Sequence, residues 1–141
     1  MNREEIIALC KKGEHCFNHS DLSGLDLSGL SLSMVSFYQC NMRQANLSRS
    51  TLGKAYMKEA DLSEADLSWA YMYDSILKEA KLVNAKLFST NLFRADLTGA
   101  DINGADFTLA DLGGAKLPDG SKYVTGMDLS KFGAKGNPIV M

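Results

Sequence analysis

The chain has no apolar run approaching the roughly 18 residues that a membrane-spanning helix needs. The opening Met1-Asn2-Arg3-Glu4-Glu5 has no apolar stretch of signal-peptide length behind it. Neither export nor membrane insertion is expected, and no membrane partner. Cysteine is scarce: three, an odd number, argue against a closed disulfide framework and for a reducing compartment, the cytoplasm. Two prolines and twelve glycines in 141 residues are too few for a low-complexity chain. Charge of one sign is lacking too. Fifteen basic against seventeen acidic residues leave a net charge of −2, which gives no field that would draw nucleic acid or an anionic surface. What is there is a 45% apolar composition, enough for one modest core in one domain.

Those apolar residues are spaced by five. From Phe17 through Leu22, Leu27, Leu32 and Phe37, and onwards without a gap to Phe107, Leu112 and Leu117, every fifth residue is large and apolar, twenty-one in succession. At 45% apolar composition such a run has a chance of roughly 5 in 10⁸, so the period and not the composition carries the information. Two residues before each of these centres lies a second slot that is mostly small. Of the twenty such positions from Ser20 to Ala115, twelve are alanine and none is charged. The other three positions of each unit are mostly polar.

No helix accommodates this pattern, because steps of five residues advance about 500° and carry the leucines around the whole cylinder. A long strand fails as well. The small slot and the centre share one strand face, but the next unit restores that face only if the chain turns between them. Each pentapeptide is therefore a very short strand and a corner. Corners of one hand wind the chain into a coil whose backbone hydrogen bonds run to the coils on either side.

Ala60-Asp61-Leu62-Ser63-Glu64, Ala65-Asp66-Leu67-Ser68-Trp69, Ala95-Asp96-Leu97-Thr98-Gly99 and Ala110-Asp111-Leu112-Gly113-Gly114 resemble the signature of the pentapeptide repeat family, over residues 15–117. The resemblance implies an all-β fold: a right-handed, four-sided parallel β-solenoid with twenty residues per coil, hence about five coils and a length of roughly 25 Å. On that register Tyr56 stacks on Ile76, Tyr73 on Phe93, and Lys58-Glu59 lies beside Lys78-Glu79.

Solenoid ends need covers, because an open coil exposes core and unpaired edge together. Residues 2–12 read as a helix, with Asn2 as N-cap, Glu4 and Glu5 in the first turn, Lys11 and Lys12 in the last, and Gly13 at the stop. Its Ile6, Leu9 and Cys10 would lid the first coil, where Leu25, Leu30 and Val35 replace the usual small residue. At the other end Pro118-Asp119-Gly120 is a turn signal and Lys122 breaks the series of centres. The expected organisation is a helical cap over 1–14, a solenoid over 15–117 and a tail over 118–141. That tail either caps the last coil, folds over outward aromatic groups, or joins two molecules into a homodimer.

Catalytic constellations are sparse. Cys10, His15, Cys16 and His19 have residue types suited to zinc, but their spacing matches no ligand pattern, and they read as a helix cysteine and surface groups. Cys40 reads as a small hydrophobe in an inward slot. No phosphate-binding glycine loop or nucleophile elbow occurs. Eight aspartates precede centres (Asp21, Asp26, Asp61, Asp66, Asp96, Asp101, Asp106 and Asp111), with Asn41, Asn46 and Asn91 in equivalent slots. An amide can replace the acid in bonding the neighbouring backbone but not in acid–base chemistry, so these are corner formers. No catalytic residue, metal or cofactor is expected.

Some members of the family resemble duplex DNA in shape and charge and bind bacterial gyrase, protecting it from quinolones. Such mimicry needs long acidic surfaces. Here the columns Asp21, Asn41, Asp61, Lys81, Asp101 and Asp26, Asn46, Asp66, Lys86, Asp106 are interrupted. A gyrase-binding DNA mimic is thus the alternative reading. The preferred one is a non-catalytic, rigid solenoid presenting a protein-interaction surface to an unidentified protein partner. Trp69, Tyr71, Tyr73, Phe88, Phe93 and Leu109 point outward about one edge and are its candidate contact residues.

Overall fold

A corner every five residues leaves room for one residue per side that can aim both backbone groups at a neighbouring coil. The computed structural model describes residues 1–140, and in it those single residues form parallel bridges to partners twenty positions on. Cys16 pairs with Ser36, Asp21 with Asn41, Asp26 with Asn46, Ser31 with Thr51, and the series runs to Asp96 with Lys116. Four units therefore complete one coil, which makes the solenoid four-sided, a number that the period of five alone leaves open. The expected short strands are corrected to isolated bridges: the turns consume the rest of each unit.

One unit shows the bonding. Asn41 N–H donates to Ser20 O at 3.0 Å, and Asn41 O accepts from Leu22 N–H at 2.7 Å. Both groups of a bridge residue thus face the preceding coil. The corner then closes on itself, with Ala45 N–H donating to Met42 O at 3.1 Å. Gln44, the third residue of that turn, has φ 59°. A hydrogen-bonded four-residue turn with positive φ at its third residue is the type II geometry. Every fifth residue from 19 to 114 has positive φ, and fifteen of these twenty are not glycine. The ladder over-determines them: Gln44 N–H, for example, also donates to Ser63 O at 2.9 Å.

All twenty-one centres are buried, as is every small slot from Val35 to Ala115. Leu25 and Leu30, the bulky exceptions, are half-buried against the core in the first coil. The helix α1 spans Arg3–Lys11 rather than 2–12, because Asn2 and Lys12 are its caps. Asn2 Oδ1 accepts from Glu5 N–H at 2.9 Å. At the other end Gly13, at φ 87°, donates to Cys10 O, and Glu14 N–H donates to Leu9 O, the paired bonds of a Schellman stop. Ile6 is buried in the core, with Leu9 and Cys10 packed against it. Arg3 fastens α1 to the first coil, its Nη1 donating to Asp26 O at 2.9 Å and Ser28 O at 3.0 Å.

After Leu117 the chain doubles back, Lys122 pairing antiparallel with Lys116, and a 3-10 turn follows at Leu129–Phe132. Residues 133–139 then run along the last coil. Phe107 N–H donates to Lys135 O at 2.9 Å, Leu109 N–H to Asn137 O at 2.8 Å, and Ile139 N–H to Ala110 O at 2.9 Å. Tyr123, Leu129 and Ala134 are buried there. This arrangement covers the last coil, one of the uses read for the tail.

Candidate interaction face

One side of the solenoid is the column Ser31, Thr51, Tyr71, Asn91 and Asp111. Trp69, Phe88 and Leu109 stand at the corners entering that side, and Tyr73 and Phe93 at the corner leaving it. Register alone brings the six candidates onto one side, since sequence distances of twenty and its near neighbours become adjacent coils. Their exposures run from 39% for Phe88 to 54% for Tyr71, with the tail lying elsewhere. The alternative in which the tail folds over them is not the one observed. Its 133–139 stretch bonds to the 104–110 backbone on the end of the solenoid, not to its side.

Contacts within the face differ from the expected ledge. Trp69 and Phe88 meet edge to face, centroids 5.8 Å apart. Tyr73 and Phe93 do not stack. Tyr73 lies over Gly53, where a Cβ would come within 2.4 Å of its ring, and Phe93 lies over Gly113, where a Cβ would meet its ring at 3.1 Å. The two rings lean towards opposite ends of the solenoid because a glycine one coil away gives each a flat backbone to rest on. Neither Gly53 nor Gly113 has positive φ, so ring packing and not turn geometry is what their missing side chains serve.

Cations join the rings. The Arg49 guanidinium sits 5.5 Å from the centre of the Trp69 ring, and that of Arg94 sits 5.4 Å from the centre of Phe93. Arg94 is also forked onto Asp74 at 2.9 and 3.0 Å. Those bonds hold the Asp74 carboxyl below its usual range and push the arginine up. Arg49 has no ion pair among the described residues. Met34, 69% exposed, stands in the column of Lys54, Asp74 and Arg94. Arg49, Arg94, Met34 and the two glycines are not among the contact residues read from the sequence, although the twenty-residue register aligns Arg49 with Trp69 and Gly53 with Tyr73.

The polar candidates resolve locally. All eight predicted aspartates accept a backbone N–H from the residue two positions on, from Ser23 to Asp21 at 3.1 Å through Gly113 to Asp111 at 2.9 Å. Asn41, Asn46 and Asn91 do the same. Lys81 bridges between Asp61 and Asp101, and Lys86 between Asp66 and Asp106, so each acidic column carries a cation between its last two acids. Cys10, Cys16 and Cys40 are free thiols, and burial raises the pKa of Cys10 and Cys40. Cys40 Sγ donates to Phe17 O at 2.9 Å. His19 packs edge-on against Tyr38. Among the described residues no group of three or more His, Cys, Asp or Glu is arranged to hold a metal ion.

A four-sided coil of five-residue sides, with buried aliphatic centres and self-bonded acidic corners, defines a repeat-solenoid protein. The family model for pentapeptide repeats matches in eight copies over residues 16–44, 40–78 and 80–117, and the chain belongs to that family. Its structure is similar to that of the pentapeptide repeat protein Rfr23 from the cyanobacterium Cyanothece 51142, with a TM-score of 0.76, 22% identity and 98% of each chain covered. It is also similar to a pentapeptide repeat protein of the Arabidopsis thaliana thylakoid lumen: TM-score 0.57, 36% identity, 67% of this chain and 69% of that one. QnrB1, a plasmid-mediated fluoroquinolone resistance protein, matches at 22% identity over 89% of this chain and 74% of its own, with a TM-score of 0.37. No curated protein matches the chain significantly.

Proposed function

We propose that the chain is a non-catalytic, right-handed solenoid that works as a rigid scaffold and binds a protein partner through the side bearing Trp69, Tyr71, Tyr73, Phe88, Phe93 and Leu109. One observation carries this reading: six large apolar side chains are at least 39% exposed on a single side while the protein's own tail lies on the end. Leaving such groups in water contributes nothing to folding, and clustered exposed aromatics are characteristic of contact surfaces. The bare Arg49 beside Trp69 adds a charged anchor. Mimicry of DNA is the weaker reading, because Asn41, Asn46, Lys81 and Lys86 interrupt both acidic columns. The expected compartment is the reducing cytoplasm, in keeping with three free thiols. Among the described residues no helix is long and apolar enough to cross a membrane.

The test uses immobilised chain and extract of the native cell. A partner retained by the wild type, displaced by excess free chain, lost with Trp69→Ala plus Phe88→Ala and kept with Lys78→Ala supports the reading. If the double variant melts like the wild type and retains the same proteins, the aromatic side is not the contact. Inhibition of gyrase supercoiling by the purified chain would favour the alternative.

A further inference from the structure

The first coil has no coil before it, so its bridge residues present N–H and C=O groups to the N-terminal end. Two of its four sides are partly capped by side chains: Glu14 Oε1 accepts from Cys16 N–H at 2.9 Å, and Arg3 donates to Asp26 O and Ser28 O. Asp21 is left to solvent. On the remaining side, Ser31 N–H, Ser31 O and Ser33 O have no partner among the described residues, because Lys12 and Glu14 spend their N–H groups on the stop of α1. Beside this bare edge lies a cleft of about 380 Å³ between α1 and the first coil. Ile6, Ile7, Cys10, Leu30 and Leu32 line it, and Lys11 stands at its rim.

An unpaired strand edge next to an apolar cleft is the arrangement that captures extended peptides by adding a strand. The opposite end of this molecule shows the complementary edge of the same parallel ladder filled. There the non-repeat stretch 133–139 pairs with the 104–110 backbone, so a coil edge takes an irregular extended segment as readily as another repeat. We infer that the Ser31 edge is a binding site for an extended peptide segment of a partner, lying parallel to residues 30–33, with an aliphatic residue against the Ile7 and Leu30 wall and an acidic residue near Lys11. The bond pattern is dictated by the coils above it. As Ser20 O accepts from Asn41 N–H, Leu22 N–H donates to Asn41 O and Gly24 N–H donates to Arg43 O, so the segment supplies one carbonyl to Ser31 N–H and N–H groups to Ser31 O and Ser33 O. This site is the N-terminal edge of the column that carries Tyr71, but its backbone bonds and apolar wall involve none of the six outward side chains.

The chain's own repeat provides the probe. A blocked peptide of sequence Ala-Asp-Leu-Thr-Gly-Ala, that of residues 95–100, carries the three backbone groups in the required order, a leucine and one negative charge. Titrated into the intact, isotope-labelled protein, it is expected to shift amide resonances saturably at residues 30–33 and at Ile6, Ile7 and Cys10, and to slow hydrogen exchange at Ser31. The same peptide N-methylated at its leucine loses the bond to Ser31 O and is expected to bind at least ten-fold more weakly. Ile7→Glu, on a side chain that is only half-buried, is expected to weaken binding similarly. Equal affinity of the methylated peptide would reduce the effect to unspecific apolar contact and overturn the proposal. So would the absence of saturable shifts at residues 30–33. Protection of the Ser31 amide in the free chain that fades on dilution would assign the edge to a second copy instead.

Discussion

A left-handed backbone at fifteen non-glycine residues, Trp69 and Leu109 among them, is the conformational cost of each corner. For an L residue that conformation costs about 1–2 kcal/mol, less whatever glycine loses in extra unfolded-chain freedom. Gly24, at φ 68° with open space around its Cα, is thus expected to tolerate alanine sterically and still lose about 1 kcal/mol, while Ser89→Gly, at φ 54°, gains about as much. Urea midpoints moving in opposite directions would verify the pair. Ser75 presents a different defect. It occupies a small inward slot, fully buried, and its Oγ is the one buried side-chain polar atom without a partner among the described residues, whereas Ser50 and Thr90 in equivalent slots donate to Leu47 O and Leu67 O. Ser75→Ala is expected to raise stability by about 1 kcal/mol, measured by denaturant melts. Acidic corners titrate predictably. Hydrogen bonds from Ser23, Ser28 and Thr108 lower the carboxyl pKa of Asp21, Asp26 and Asp106 in the folded chain. Depressed folded values mean stability that is present above the unfolded aspartate pKa of about 4 and is lost as pH falls through the folded ones. Stability should hold down to about pH 4 and fall below it, and combined Asn replacements at these three positions should flatten that fall.

At the scale of one unit, the inward and outward positions divide the energy unequally. Leu67 is wholly buried between coils, while the half-exposed Ser68 donates only its backbone N–H to Asp66. Leu67→Ala is expected to cost about 2–5 kcal/mol and Ser68→Ala only a few tenths. Equal, mild effects in melts would contradict the assignment of faces. Ion pairs contribute less: Arg43 to Asp61 at 3.3 Å and Lys78 to Asp96 at 3.8 Å are partly exposed, and such pairs contribute about 0–1 kcal/mol. Backbone ladders and aliphatic stacking hold the coils, and the outward side chains remain available for recognition.

For the whole molecule, stability depends on how its two ends are closed. Each coil touches only its neighbours, so an uncovered terminal coil exposes core and edge at once. Removing residues 1–14 takes away Ile6, which is buried in the core, and Arg3, which holds Asp26 O and Ser28 O. The truncated chain is expected to aggregate, followed by light scattering. A form that stays monomeric at millimolar concentration would show that α1 is not needed as a cover.

The sequence by itself determined the coil. Twenty-one apolar centres at a spacing of five exclude helix and long strand on geometry alone, and the Asp/Asn interchange at corners identified a backbone-bonding role that every one of those side chains performs. The α1 boundaries were legible within one residue, because Asn2 and Gly13 are local signals. Tertiary structure decided what depends on the neighbouring coil. That Tyr73 and Phe93 part, each over its own glycine, is set by residues twenty positions away, as is the pairing of Arg49 with Trp69. The positive φ at every corner was hidden behind glutamate, arginine and tryptophan, residues with no local preference for it, since the inter-coil ladder imposes it. The tail's place on the last coil and the bare Ser31 edge followed only from the full hydrogen-bond account. A five-residue period specifies which side chains face inward, but the contacts between coils arise only once the chain has closed four sides.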